Sequence, residues 1–411
     1  MEKSGRKIAY VTRAIERALG MKPGPEYLLV SNNTPYGEMI KGLFPEFVTL
    51  IDPPGQESLS TNQLLEHAVV RALINSTEAT LLAFKNTARI ELIAQANGWT
   101  LLNPKAALSE QVENKISQIE WLGNLATKYL PEYHIQECKN IQWEDKPLVV
   151  QWAHGHTGNS TVRVSSEKEL RVLQQEQSPR EVTRASKYIY GPSFTVNAIV
   201  AADKILVGNI SYQITGTAPF TCNEFTTVGN DWSAAHRFLS EAEVEQIVTM
   251  ARAIGTKLSV SDWRGLYGID VIRDAERGRL YLIEINARQP ASTTFESFLQ
   301  GANRCWNSGG LTTFEAHLKA LRGESIENEL IPINEGAQII QRVTNDIKHI
   351  PVGAIRSLEL AGYRTISYPN TSENIDLLRI QSAYGLMEAH GKFNERGMEI
   401  KTTLDISTTV C

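Results

Sequence analysis

The sequence predicts an α/β domain at the amino terminus, a larger α+β domain in the middle and a small β-rich domain at the end. Three observations predict it. Up to about Pro104, short apolar runs rich in strand formers alternate with helical patterns; a strand-loop-strand unit and a long hairpin dominate the middle; from about Glu324, short strands alternate with turns. Alternating strands and helices imply a parallel sheet covered by helices, whereas consecutive strands imply antiparallel pairing. At 411 residues the chain also exceeds what one core normally encloses.

In residues 1–106 the strand runs are "KIAYVT", "EYLLVS", "FVTLID", "ATLLAF" and "WTLLNP", with helices over "TNQLLEHAVVRALI" and "TARIELIAQANG". No GxGxxG follows the first strand, so a dinucleotide site there has little support. The second domain spans 107–323. It opens on a helix over residues 110 to 130, with Val112, Ile116, Ile119 and Leu122 as its apolar stripe and Pro131 as its stop. Next come the strand "PLVVQWA", the glycine loop "HGHTGNST" and the strand "VRVS". Ser166 with Glu169 signals a helix start, and "KYIYG" and "SFTVNAIVAADKILVG" return to strands. Ser240 with Glu243 opens a helix whose stripe of Val244, Ile247, Val248, Ala251 and Ile254 ends at Gly255. The runs "YGIDVIRD" and "RLYLIEINAR" flank the short polar turn "AERG", and "FEAHLKALRG" is helical. The β-rich domain takes 324–411, and no internal repeat is present.

Composition bounds the function. Hydrophobic residues at 42% and charged residues at 21% are an ordinary globular mix, which excludes disorder and coiled coil. A net charge of -5 supplies no basic field for nucleic acid or acidic membrane, so small molecules are the expected partners. Cys138, Cys222, Cys305 and Cys411 form no CxxC pair, which fits a reducing cytoplasm. The opening "MEKSGRKIAYVTR" lacks the apolar core of a signal peptide, no run of roughly 18 apolar residues occurs, and Cys411 at the last position does not fit a prenylation box.

The string "LYLIEINARQPAS" carries Glu284, Asn286 and Arg288 at alternate positions, hence on one face of an extended chain. With residue 277 at the turn centre, Asp270 falls opposite Glu284. Two carboxylates so placed destabilise a sheet unless a cation sits between them, and a one-residue slip would move them to opposite faces. Carboxylate and amide oxygens without His or Cys favour Mg²⁺ or Mn²⁺ over zinc. Magnesium with few protein ligands completes its shell with water and phosphate oxygens, and Arg288 further along the same face lies where a transferring phosphoryl group gathers charge. A solvated face of ordinary ion pairs is the alternative for this short string.

Three further segments bear on the choice. Gly155 and Gly158 in "HGHTGNST" permit a backbone that points N–H groups at phosphate, or simply a hairpin turn; His154 and His156 lack a third metal partner. Lys115 lies just off its helix's apolar stripe and could equally be a surface lysine. "KYIYG", Lys187 to Gly191, could offer backbone hydrogen bonds to an adenine edge or be core.

In this order (lysine-bearing helix, glycine loop between strands, "KYIYG", then "GLYGIDVI" and "LIEINAR"), the chain resembles the ATP-grasp enzymes, with an ATP site similar in arrangement to that of biotin carboxylases. The Rossmann-like first domain resembles the one that precedes the ATP site in that family. The resemblance covers about Lys7 to Gly323. It implies Asp270, Glu284 and Asn286 as Mg²⁺ ligands, Arg288 facing the reacting phosphate, Lys115 as an ATP-binding lysine, Tyr188 and Ile189 as the adenine-recognising backbone, and a lid over about 147–191. One departure matters: where the family typically carries a second ATP-binding lysine, this chain has Gln151. Glutamine can hydrogen-bond phosphate but brings no charge, so neutralisation falls to Lys115, Arg288, the metal, or another cation such as Arg163 or Lys187.

The resemblance implies a ligase that joins a carboxylate to an amine through an acyl phosphate, with an amino acid or small peptide-like acid as substrate. It uses ATP and Mg²⁺ and is compatible with a homodimer. Two alternatives stand beside it: a bicarbonate-using carboxylase subunit, and a non-catalytic nucleotide-binding protein. "TGTAPFTCNEFTTVGNDW", Thr215 to Trp232, is either an acceptor-binding loop or an ordinary surface loop.

Overall fold

A computed structural model describes residues 7–55, 58–153, 161–176, 181–306 and 309–409. The first domain holds a parallel sheet in the order Val48–Ile51, Tyr27–Asn32, Ile8–Val11, Thr80–Ala83. Its inner strands "YLLVSN" and "IAYV" and the edge strand "TLLA" are buried at every position, as strands covered on both faces must be. The fifth expected run, "WTLLNP", contributes one parallel bridge, Leu101 to Leu81, rather than a strand. The Asn103 side chain then closes the edge, bonding both the N–H and the C=O of Ala83.

The single helix expected over 110 to 130 is three: Ala106–Glu113, Ser117–Leu122 and Asn124–Tyr129. Asn114 makes the first break. Its backbone is extended, and its side-chain oxygen accepts the N–H of Ile116 at 2.9 Å and of Ser117 at 3.2 Å, the local competition for which asparagine is suited. Gly123, with φ of +56°, makes the second. Lys115 therefore sits in a helix break, not on a helix.

Four antiparallel strands form the lid sheet, in the order Tyr133–Glu137, Val182–Lys187, Leu148–Trp152, Thr161–Val164. The helix Glu167–Glu176 packs on it and opens as expected, with Glu169 N–H donating to Ser166 Oγ at 3.2 Å. Tyr133–Glu137, "YHIQE", precedes the expected start of the lid and is too polar to read as a strand.

Eight strands make the central sheet, every neighbouring pair antiparallel. From one edge to the other they are Leu280–Asn286, Gly265–Arg273, Ser193–Val200, Ile205–Thr215, Thr227–Asp231, Ala337–Arg342, Asp376–Ser382 and Arg364–Ser367. Three strands from the last 88 residues thus extend the sheet begun by the middle of the chain. Helices Val352–Leu360 and Glu395–Thr409 stand where strands and turns were expected. In the second, Ile400 and Leu404 face inward one turn apart, a stripe too thin to show against the neighbouring threonines.

The long helix Glu241–Val260 packs on the central sheet and opens on the predicted capping box. It runs through Gly255 instead of ending there. A Cβ at Gly255 would lie 2.4 Å from the Tyr267 hydroxyl and 2.8 Å from Ile205 Cγ2, so glycine serves close approach of helix to sheet. Among the described residues, no helix is long and apolar enough to cross a membrane.

On the other face, helix Thr313–Leu321 buries His317, whose Nδ1 accepts the Leu266 N–H at 3.0 Å. Burial pulls its pKa down to about 3. Folded-state pKa below the unfolded value means that stability is complete above about pH 6.5 and is lost as pH falls, because the unfolded chain takes up the proton first. Urea midpoints at pH 7 and pH 5 should show the wild type losing about 2 kcal/mol more than His317→Gln over that interval. Equal losses would refute the assignment.

Candidate functional site

The hairpin register places Asp270 opposite Glu284 and Gly268 opposite Asn286. It does so through a bulge. From the turn upward Arg273 pairs with Leu280 and Val271 with Leu282, and the register then shifts by one residue at Ile283 before Asp270 meets Glu284. The polar residues Glu284, Asn286 and Arg288 so face the site, while Ile285 and Ala287 enter the core.

Asp270 is buried. Its Oδ1 accepts the Thr195 hydroxyl and its Oδ2 accepts Asn286 Nδ2 at 3.2 Å. Burial first, and the charge of Glu284 second, push its pKa up to about 6. Lys115, only 7% exposed, reaches Glu284 with Nζ 3.0 Å from Oε1. The helix break at Asn114 is what lets it point there. This donor set, two carboxylates and an amide, fits a magnesium ion that keeps water and phosphate oxygens in its shell. Among the described residues no cluster of three or more His, Cys, Asp or Glu side chains could hold a metal.

Arg288 is gripped by Glu113 Oε1, and Lys85 Nζ lies 2.6 Å from Glu113 Oε2. Ser109 Oγ donates to the Ala287 carbonyl at 2.6 Å, fastening this end of the strand to helix Ala106–Glu113. The guanidinium is thereby held by helix Ala106–Glu113 rather than directed by the hairpin alone.

Between the lid sheet and the central sheet lies a cavity of about 300 Å³, the lower end of the range for small-molecule sites. Gln151, Lys187, Tyr188 and Ile189 line its lid side, with Asp270 and Glu284 opposite. The Tyr188 N–H is committed to the Pro147 carbonyl at 3.1 Å, so at that residue the adenine-edge expectation falls on the carbonyl. Ile189 is 7% exposed, and among the described residues its backbone has no hydrogen-bond partner, as a segment meant to bind a ligand's polar edge would be. Gly155 and Gly158 lie outside the described residues.

The segment Thr215 to Trp232 divides between the two readings given to it. Glu224 and Phe225 line the cavity, Thr227–Asp231 is a strand, and Trp232 is buried at a helix start. Arg163 Nη1, 3.2 Å from Glu224 Oε2, ties the lid to this segment.

Three residues escaped the sequence reading: Glu113, Arg184 and His390. Arg184, 4% exposed, sits in the strand Val182–Lys187. His390 comes from the last hairpin of the chain; its Nδ1 lies 2.9 Å from the Tyr212 hydroxyl, and its ring stands edge-on to Tyr190 at the cavity wall. Burial, then Arg273, lowers its pKa. Glu113 follows a helical stripe closely enough to have been noticed as a partner for Arg288; nothing local marks the other two.

Residues 112–292 match the family model described as ATP-grasp domain. No curated protein matches the chain. Among solved structures, the carboxyaminoimidazole ribonucleotide synthase of Aspergillus clavatus, solved with ATP, is 14% identical, with 99% of each chain covered and a TM-score of 0.64. The L-amino acid ligase of Bacillus licheniformis is 16% identical, with 98% of each chain covered and a TM-score of 0.62. The N5-carboxyaminoimidazole ribonucleotide synthetase of Thermotoga maritima is 11% identical, with 99% of this chain and 98% of its own covered and a TM-score of 0.61. Residues 112–292 are therefore an ATP-grasp domain, within a chain that shares the fold of these ligases from end to end.

Proposed function

We propose that the chain is an ATP-dependent ligase that joins a carboxylate to an amine and releases ADP and phosphate. The observation that carries this reading is the facing pair Asp270 and Glu284 at the floor of the cavity. Opposed like charges are a standing cost in a sheet, and a fold without use for a cation there would gain by losing one of them. When bound, Mg²⁺ or Mn²⁺ on Asp270, Glu284 and Asn286 would neutralise phosphate oxygens.

The chain's own residues do the rest by position and charge. Ile189 offers its backbone to the base, and Lys115 stands beside the carboxylates as the first cation for the phosphates. A substrate carboxylate oxygen attacks the γ-phosphorus and the bond to ADP breaks; the amine nitrogen then attacks the acyl carbon, phosphate leaves, and the amine gives up its proton. Arg288, fixed by Glu113, faces the charge that grows on the moving phosphoryl group. The lid sheet excludes the water that would hydrolyse the acyl phosphate.

The fold is as near to carboxyaminoimidazole ribonucleotide synthase as to L-amino acid ligase, which favours a second reading with bicarbonate as the carboxylate. One experiment separates them. The chain is incubated with ATP, Mg²⁺ and pairs of amino acids or small carboxylic acids, with and without bicarbonate, and products are read by mass spectrometry beside ADP. The ligase reading expects one condensation product per ADP. ADP that depends on bicarbonate supports the second reading, and ATP binding without ADP in any mixture shows a non-catalytic nucleotide-binding protein.

A further inference from the structure

Each cation predicted at the reacting end of the site has a carboxylate partner: Lys115 has Glu284, and Arg288 has Glu113. Arg184 differs. It lies directly across the lid sheet from Gln151 and lines the same cavity. Among the described residues its hydrogen bonds go to neutral amide oxygens. Nε and Nη2 both donate to Gln151 Oε1, with Nε at 3.0 Å, and Nη1 donates to Gln118 Oε1 at 3.4 Å.

Both glutamines are themselves anchored so that their oxygens face the guanidinium. Gln151 Nε2 donates to Thr161 Oγ1 at 3.3 Å, and the fully buried Gln118 donates Nε2 to the Val112 carbonyl at 2.7 Å. The Gln151 oxygen is thus occupied in aiming an arginine. Burial draws the Arg184 pKa down to about 10, against the opposing pull of Glu284 and then Tyr133, which leaves it charged at neutral pH.

A buried guanidinium costs several kcal/mol of lost hydration, and two amide oxygens repay only part of it. The remaining donors and the remaining charge suit a polyanion entering the cavity, and guanidinium geometry suits phosphate. We propose that Arg184 is the phosphate-binding cation of the lid, presented to the nucleotide by Gln151 and Gln118. The charge absent at position 151 has moved to the adjoining strand. This assignment rests on the ATP-dependent reading above and names a residue that reading does not require.

The test is calorimetric, on the full chain, with ATP and Mg²⁺ as one probe and adenosine as the other. Arg184→Met is expected to weaken ATP binding about ten- to a hundredfold while leaving adenosine binding unchanged. The double variant Gln151→Lys, Arg184→Met returns a cation to the same cavity wall and is expected to recover about tenfold of that loss. Unchanged ATP affinity in Arg184→Met overturns the assignment, as does parallel loss of ATP and adenosine without recovery in the double variant. Failure of the wild-type chain to bind ATP overturns the ATP-dependent reading together with it.

Discussion

A Glu284→Gln variant is expected to lose ATP turnover by about 10²- to 10³-fold while unfolding at nearly the wild-type temperature. The two halves of that expectation have different origins. Glutamine keeps the shape but removes one of the two charges that the proposed function assigns to a metal ion, and with it the electrostatic stabilisation proposed for the phosphoryl group. Stability holds because the same change relieves Asp270, whose carboxyl is pushed up to about 6 by burial and by Glu284. Lys115 loses an ion pair but keeps the charge of Asp270 beside it, which limits the cost of the exchange. Phosphate release assayed beside thermal unfolding decides the matter. Turnover within threefold of wild type would remove the hairpin from the chemistry.

An Asp231→Ala variant is expected to cost about 3 kcal/mol or more. Asp231 is fully buried, and its two oxygens accept three backbone N–H groups: Ala234 at 2.8 Å, Leu386 at 2.7 Å and Met387 at 2.9 Å. The first caps helix Trp232–Phe238; the other two pin the start of the final hairpin to the central sheet. Alanine strands all three donors away from water, each a loss of about 1 kcal/mol or more. Asparagine is no remedy, since its amide would turn donors toward donors. Urea unfolding reads the effect, and a loss under 1 kcal/mol in Asp231→Ala would show that water or a shifted backbone satisfies the orphaned groups. The carboxyl's pKa is raised, by burial first, although the three N–H groups oppose the rise, so the network offsets a real desolvation cost.

Much of this was legible locally. The alternation of polar and apolar residues from Leu280 to Arg288, the short turn and the opposed Asp270 all lie within one hairpin, so their geometry follows from strand periodicity. The helix-start signatures at Ser166 and Ser240 are equally local. What escaped depends on contacts far apart in sequence. Arg184 in "VTRASK" has the spacing of a residue on a solvated strand face, and only the docking of Gln118 from 66 positions earlier buries it. The strands after residue 324 carry no mark of their place, because nothing in "AQIIQR" distinguishes pairing with Thr227–Asp231 from pairing among themselves. Asn114 and Gly123 interrupt a helical stripe that stays in phase across both breaks, which hid the position of Lys115.

The bulge at Ile283 has a further meaning when the strand is viewed as a count. Up to Leu282 the even-numbered residues, Leu280 and Leu282, belong to the hydrophobic interior; from Ile285 onward the odd-numbered ones, Ile285 and Ala287, do. One supernumerary residue changes the parity of the strand partway along its length. A single seven-residue segment can thereby be interior wall at its first end and polar floor at its second, with the turn that joins the hairpin left free to take whichever length it needs. The chemistry of the site and the closure of the turn are in this sense independently adjustable, and Ile283 is the joint between them.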